Sequence, residues 1–424
     1  MKGKLIQSRW YRIIPVVFIT YSLAYLDRSN FGFGLAGGMA HDLHITSDRA
    51  SLLGALFFLG YFFFQVPGLH YAARKSTKKL ICLSLILWGL LASATGLISN
   101  IKILMLIRFM LGAVEGAVLP ALVLMVSRWF TKMERSRANT YLILGNPVTI
   151  LWMSVVSGYL IHSLGWRWMF IWEGIPAIIW AFFYWNLIED RPSEVSWLDP
   201  RQRAGLNESL KLEQQAIKPV KNYFSAFTSR AVISLCLQYA LWSIGVYGFV
   251  IWLPSMINKG SGLNIIQTGW LSSIPYFMAI VGMTIVSHFS DKKVKRKIFI
   301  WPFLLAGAIS FFCSYLIGPT NFWLSFVLLC VAGMAMYAPY GPFFSMITEM
   351  LPENVAGAAI ALINSFGALG SFAGAYFVGY LNSHTGGYDT SYVFMACSLL
   401  LSAILVPLTP STPSNNEYSA ALAN

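Results

Sequence analysis

The chain predicts an all-α membrane protein with twelve transmembrane helices in two six-helix halves. Three observations carry that expectation. Of its 424 residues 57% are hydrophobic and only 11% charged, with a mean hydropathy of +0.62, too apolar and too charge-poor for a soluble globular chain of this length. Twelve apolar stretches of spanning length follow one another, at 12–34, 50–72, 80–99, 102–127, 139–163, 168–188, 231–257, 265–289, 298–318, 322–350, 355–383 and 391–409. The basic residues, finally, collect in alternate loops.

The first stretch runs ITYSLAYLDRSNFGFGLAGG from Ile19 to Gly38 and places Asp27 beside Arg28 inside hydrocarbon. Either ion at bilayer depth costs at least about 2.5 kcal/mol, so each marks a functional site that needs a partner. Mutual structural neutralisation is the bland alternative, but adjacent helix positions point about 100° apart and cannot both face one partner. A basic start followed by an apolar run resembles a cleavable signal peptide, and Leu35-Ala36-Gly37 offers small residues for cleavage. The run is too long for that, carries two charges and is followed by eleven more spans, so it is expected to stay as the first helix.

The thirty Lys and Arg fix an orientation. With the N-terminus cytoplasmic, only Arg49, Lys102, Arg167 and Lys259 fall outside and Arg28 and Arg108 lie within spans; all the others sit in cytoplasmic segments. The positive-inside rule is then met at every basic loop, and both termini are cytoplasmic in a cell (inner) membrane. The net charge of +13 is loop charge facing anionic lipid and makes no case for nucleic acid. The five cysteines, Cys82, Cys236, Cys313, Cys330 and Cys397, all lie in apolar segments and read as small core residues, with no metal spacing.

An internal repeat organises the chain. The first helix begins near Ile13 and the seventh near Ala231, and the basic loop Arg74–Lys79 maps onto Asp291–Lys297 by nearly the same offset. This divides the chain into an N-terminal half (1–188), a cytoplasmic linker (189–230), a C-terminal half (231–410) and a tail (411–424). The linker carries a short amphipathic helical pattern expected to lie on the cytoplasmic surface. The Ser-, Thr-, Pro- and Asn-rich tail is expected to be disordered.

Several motifs resemble the major facilitator superfamily and, within it, the anion:cation symporter family of organic-anion transporters. They are LDRSN at Leu26–Asn30, RFMLGAVEGAVLPALVLMVSRWFTKMERSRA at Arg108–Ala138, GWRWMFIWEGIPA at Gly165–Ala177, EDRPSEVSWL at Glu189–Leu198 and SDKKVKRK at Ser290–Lys297. In order and at matching helix positions, they cover nearly the whole chain. One loop departs: between the second and third helices the chain reads ARKSTKK, with Ser76 where the family's Gly is expected and no acid. The tight turn and latch that the resemblance implies there are thereby put in question.

Arg108 and Glu115 lie seven apart on the fourth span, so they share a face about 10 Å apart along the axis. Glu115 falls at mid-span. Helix directions place Arg108, Asp27 and Arg28 in the outer half, so all four charges can converge on one cavity. Their charge can be cancelled by internal pairing, or by a substrate carboxylate once the acids take protons. In this reading, which the resemblance also implies, Arg28 and Arg108 hold a carboxylate while Asp27 and Glu115 bind protons. Protonation frees an arginine of its competing anion, so proton and substrate help each other onto the carrier. A locked Arg108–Glu115 pair holding helices together is the structural alternative.

Around these, Tyr25 sits one turn before Arg28, and Tyr61 with Gln65 forms a polar stripe on the second helix; both resemble family positions that touch substrate. Asn364 in ALINSFGALG resembles a hydrogen-bonding position, Ser345 or Thr348 are further candidates, and Asn146 beside Pro147 either lines the cavity or relaxes the backbone. Glu173 and Glu349 are placed near helix ends as anchoring or gating residues, not proton carriers. An enzyme is not expected, because His41, His44, His70, His162, His288 and His384 are scattered. A drug/proton antiporter of the same fold is the nearer rival, but its usual Gly-rich fifth-helix motif is poorly matched and a cation site has little use for two arginines. The expected substrate is a small organic anion, foremost a sugar acid of the aldonate, aldarate or hexuronate type, with aromatic acids and tartrate open. Protons are the coupling ion, no cofactor or metal is expected, and the chain is expected to act as a monomer.

Overall fold

The computed structural model describes residues 2–215, 229–293, 296–318, 320–350, 353–386 and 389–410. The later part of the linker and the tail expected to be disordered lie outside these residues. Among the described residues the N-terminal half contains α1 (Lys2–Gly34), α2 (Ser47–Arg74), α3 (Thr77–Leu97), α4 (Ile101–Glu115), α5 (Val118–Trp129), α6 (Lys132–Leu164) and α7 (Trp166–Leu187). The linker helix α8 (Pro200–Gln215) follows, and then α9 (Arg230–Ser261), α10 (Ile265–Lys293), α11 (Trp301–Ile317), α12 (Phe322–Tyr337), α13 (Tyr340–Met350), α14 (Glu353–Thr385) and α15 (Asp389–Leu408). Helix is the expected outcome in lipid, where each backbone polar group must be satisfied within its own segment.

The fourth span differs from an unbroken rod: α4 ends at Glu115, and Gly116 and Ala117 form a turn before α5. The tenth span breaks in the corresponding place, between α12 and α13. Among the described residues ten stretches are long and apolar enough to cross a membrane by length and composition alone. The other two are α1, which carries Asp27, Arg28 and Asn30, and the Trp-rich α7. Several helix starts are capped by their own sequence: Asn100, for example, accepts from the backbone of Lys102 and Ile103, and Thr131 forms a capping box with Glu134.

In the first half α1 packs on α6 and α7, α2 on α4, and α3 on α7; in the second, α9 packs on α14 and α15, and α11 on α12 and α15. The halves meet along α2 with α14, α6 with α10, and α1 with α9. These seams close tightly at the end of the bundle opposite the N-terminus, here the far face. A Cβ on Gly32 would overlap the Ile251 carbonyl across the seam, and one on Gly269 would overlap that of Ser154. Only glycine allows backbones this near.

The opposite, basic face carries the ARKSTKK loop, with Ser76 where the resemblance implies a Gly. The turn forms nonetheless, because Ser76 is extended (φ −158°) and needs no glycine. Its Oγ accepts from the Lys79 amide and donates to Asp190 at 2.5 Å. Asp190 also accepts from the Lys78 amide at 2.9 Å and lies 3.7 Å from Arg128, while Lys78 Nζ reaches Glu189 at 2.7 Å. The acids missing from the loop are thus supplied by the chain just beyond α7. Trp197 stacks on Trp129 with ring centroids 5.8 Å apart, and Arg12 lies over Trp197 at 4.9 Å.

Asp190→Ala would leave Ser76, the Lys78 amide and Arg128 without their shared acceptor, a loss of roughly 1–3 kcal/mol. A lowered melting temperature of the detergent-purified variant is the expected result, and an unchanged one would show that the contact adds no stability.

Candidate functional site

Arg28 stands at the centre of the buried polar residues. Its Nε donates to Glu115 Oε2 at 3.2 Å, and the pair is enclosed, with side-chain exposures of 5% and 0%. Helices α2 and α4 run in near backbone contact beside the pair, Gly112 facing the Phe57 carbonyl and Gly60 that of Phe109. The guanidinium plane is held by aromatic faces, with its carbon 4.7 Å from the Tyr61 ring centre, 5.0 Å from Tyr25 and 5.7 Å from Phe57. Arg28 Nη2, Glu115 Oε1 and Asp27 Oδ2 are buried without a protein partner among the described residues. These are the atoms that a ligand or a proton can satisfy.

Asp27, on the adjacent face of α1, joins a different set. Asn30 Nδ2 donates to its Oδ1 at 3.1 Å, one helical turn on. Arg108 lies over Phe31 at 4.5 Å and Phe57 at 5.3 Å and points its Nε at the Leu53 carbonyl, 3.4 Å away. Arg108 is within electrostatic reach of both Asp27 and Glu115. The two arginines and two carboxylates therefore converge as their spacing suggests. Within the set, Glu115 pairs with Arg28, not with Arg108 on its own helix.

The second half closes over this group. Tyr25 and Tyr247 share a hydroxyl–hydroxyl bond of 2.8 Å between α1 and α9, and Phe58 meets Tyr247 edge-on at 4.6 Å. Asn364 on α14 faces Tyr61. One residue on, Ser365 donates to Gln65 Oε1 at 3.1 Å, leaving Gln65 Nε2 unpaired among the described residues. Tyr247 and Asn364 are half-buried, whereas Tyr25, Tyr61 and Gln65 are buried.

Tyr25, Asp27, Arg28, Tyr61, Gln65, Arg108, Glu115 and Asn364 thus come together. Asn146 does not join them by any hydrogen bond: it is buried on α6, and its Oδ1 has no partner among the described residues. Ser345 lies half-buried on α13, outside the side chains that contact Arg28. The side chains of Thr348 and Glu349 lie outside the described residues. Glu173 requires a correction: it is two turns inside α7 and 5% exposed, where its Oε1 accepts from Ser157 Oγ at 2.6 Å. The span had been expected to start at 168, which put Glu173 too near an end. Tyr247 and Phe57 lie in apolar stretches with no local cue, whereas Ser365 directly follows the Asn364 that the sequence singles out. Asn30 could have been found from its place three residues after Asp27.

Two six-helix halves closing on a buried, partly unsatisfied set of charges define a membrane carrier. The chain belongs to the Major Facilitator Superfamily, whose model matches residues 17–375. It is 30% identical over 429 residues to a protein of Agrobacterium vitis provisionally named a tartrate transporter, covering 99% of this chain and 95% of that one. It is also 30% identical over 410 residues to the quinolone resistance transporter of Acinetobacter baumannii, covering 95% and 94%. Among solved structures, the xylose transporter XylE of E. coli in a partially occluded inward-open conformation has a TM-score of 0.77 at 14% identity, over 96% of this chain and 100% of that one. That likeness shows the fold alone. The protein is a multi-pass membrane transporter, not an enzyme.

Arg28→Lys tests the geometry. A lysine keeps the charge but presents a point ammonium where Arg28 offers a planar fork with Nε on Glu115 and Nη2 open. Substrate affinity is expected to fall by tenfold or more, roughly 1.4 kcal/mol, in direct binding to the purified carrier. Unchanged affinity would assign Arg28 to structural pairing with Glu115.

Proposed function

We propose that the protein imports a small organic anion, foremost a sugar acid of the aldonate, aldarate or hexuronate type, together with protons by alternating access. The observation that carries this reading is the open edge of Arg28: one side of its guanidinium is occupied by Glu115, and Nη2 is buried without a partner among the described residues. A ligand carboxylate would complete it with a charge-assisted bond. Protonating Glu115 would release Arg28 from its internal anion and strengthen its hold on the external one, which links the two binding events. Asp27 plays the same part toward Arg108. The hydroxyls of Tyr25, Tyr61 and Tyr247 and the amides of Gln65 and Asn364 are suited to a hydroxylated acid, and the name of the Agrobacterium vitis relative supports this class. Asn146 and Ser345 remain proposed as outer contributors to substrate binding.

The rival reading, a drug exchanged for protons, draws support from the name of the Acinetobacter relative. A cationic drug would leave the vacant Arg28 Nη2 without an anion to meet, so the anion reading is preferred. By the positive-inside rule the basic face, with both termini, lies in the cytoplasm of a cell (inner) membrane. The tight far-face seam then makes this the form closed to the outside. A monomer suffices, since one chain supplies every residue of the site.

An inward gradient of one pH unit supplies about 1.4 kcal/mol per coupled proton, enough for about tenfold accumulation. In proteoliposomes carrying an internal pH dye, uptake of tartrate, galactarate or gluconate is expected to acidify the lumen. Uptake without proton movement would overturn the coupling. Glu115→Gln, fixed in the proton-loaded form, is expected to bind and exchange substrate but to lose that tenfold accumulation. If it concentrates substrate as the parent does, Asp27 alone would carry the coupling.

A further inference from the structure

We infer that Glu173 is an additional proton-binding site of this carrier, lying between the far face and Asp27. The inference rests on the proton-coupled reading above and extends it to a carboxyl group outside the set around Arg28. Helix register gives the position. Gly34 on α1 packs against Phe170 and Gly38 faces Trp166 on α7, so the two helices run antiparallel with Asn30 opposite Glu173. Glu173 is therefore about 5 Å, one helical turn, nearer the far face than Asp27.

The surroundings of Glu173 mark it for a proton and not for an ion pair. From α6, Ser157 Oγ donates to Oε1 at 2.6 Å; from α1, Asn30 faces it and holds Asp27 at 3.1 Å. Oε2 is buried without a protein partner among the described residues, and Asn30 Oδ1 is likewise unpaired. No described Lys, Arg or His forms an ion pair with Glu173. Helix α3, packed on another side, brings Gly89 and Ser93 against the neighbouring Gly174, and its titratable Lys78, Lys79 and Cys82 lie toward its other end. The turn Leu35–Met39 carries no titratable group. An ionised carboxylate buried in this way without a cation would be far costlier than a neutral acid, so the vacant Oε2 is the natural place for a proton.

Asp27 is within electrostatic reach of Glu173. Two carboxylates joined through one amide repel each other when both are ionised, so a proton on either relieves the pair. In the cycle, Glu173 takes a proton from far-face water onto Oε2, leaving that water one proton poorer. It passes that proton to a carboxylate oxygen of Asp27, returning to the anion as Asp27 becomes neutral. Asn30 donates to Asp27 throughout and gives up no proton.

Glu173→Gln tests the assignment, because glutamine retains an oxygen for Ser157 and loses only the ability to change charge. Infrared difference spectra of the purified parent during a pH titration are expected to contain a protonated-carboxyl band that disappears in Glu173→Gln but survives in Asp27→Asn and Glu115→Gln. Ser157→Ala, which removes one hydrogen bond, should shift that band and serves if the Gln variant folds poorly. In proteoliposomes Glu173→Gln is expected to slow proton-driven uptake several-fold and displace its pH profile, with Glu173→Asp restoring it in part. If no band belongs to Glu173, or if the Gln variant keeps the parent's pH profile, Glu173 is a helix-packing residue and the inference falls. A parent protein that acidifies no vesicle would instead overturn the coupled reading itself, a result that the infrared bands distinguish from failure at Glu173.

Discussion

The ion pair between Arg28 and Glu115 is the interaction on which the interior depends. Removing one member of such an enclosed pair typically costs about 3–5 kcal/mol, because the other is left charged and dry. The surrounding structure is arranged to keep the two together. Glycines on α2 and α4 bring those helices into backbone contact, and Phe57, Tyr25 and Tyr61 enclose the guanidinium with ring faces in place of water. The contact between the halves is built on the same group, since Tyr25 both faces Arg28 and bonds Tyr247. A change at the ion pair is therefore one side chain away from the seam that opens and closes.

Much of the fold was legible in the sequence because lipid imposes a simple code. Spanning length located the long helices, ten of them apolar enough among the described residues to cross a membrane, and the charges inside the apolar stretches pointed to the centre of the site. The pattern did not contain pairing. Arg108 and Glu115 share a helix face at a spacing of two turns, yet Glu115 turned to Arg28 and Arg108 to a carbonyl and two rings. That choice depends on how α1, α2 and α4 are placed, and the α2–α4 approach is set by glycines on both helices. Tyr247 was illegible for a related reason: a polar side chain in an apolar helix acquires meaning only from what the opposite half presents. Glu173 was undervalued because a helix end misjudged by two residues shifts a carboxylate from the interface toward the interior.

The loop at Ser76 shows how a missing motif residue can be compensated at a distance. Ser76 caps α3 with its own hydroxyl, so the turn needs no glycine, and Asp190 and Glu189 provide the acids that ARKSTKK lacks. The contacts all fall within the first half and its exit to the linker. The clasp consequently braces one half as a unit and ties the start of the linker to it, in place of a bolt drawn across the two.

The far-face seam joins the halves in a different manner. Where Gly32 meets Ile251 and Gly158 and Gly269 meet the opposite backbone, contact is made by main chain, and the His384–Asp48 contact there, at 3.7 Å, is half exposed. Exposed pairs of this kind contribute little. Backbone surfaces that fit closely exclude water when together and carry almost no side-chain entropy or buried charge to rearrange when they part. A seam of this composition behaves as a dry valve seat: it seals by shape, and the energy needed to lift it is left to be set by what occupies the centre of the carrier.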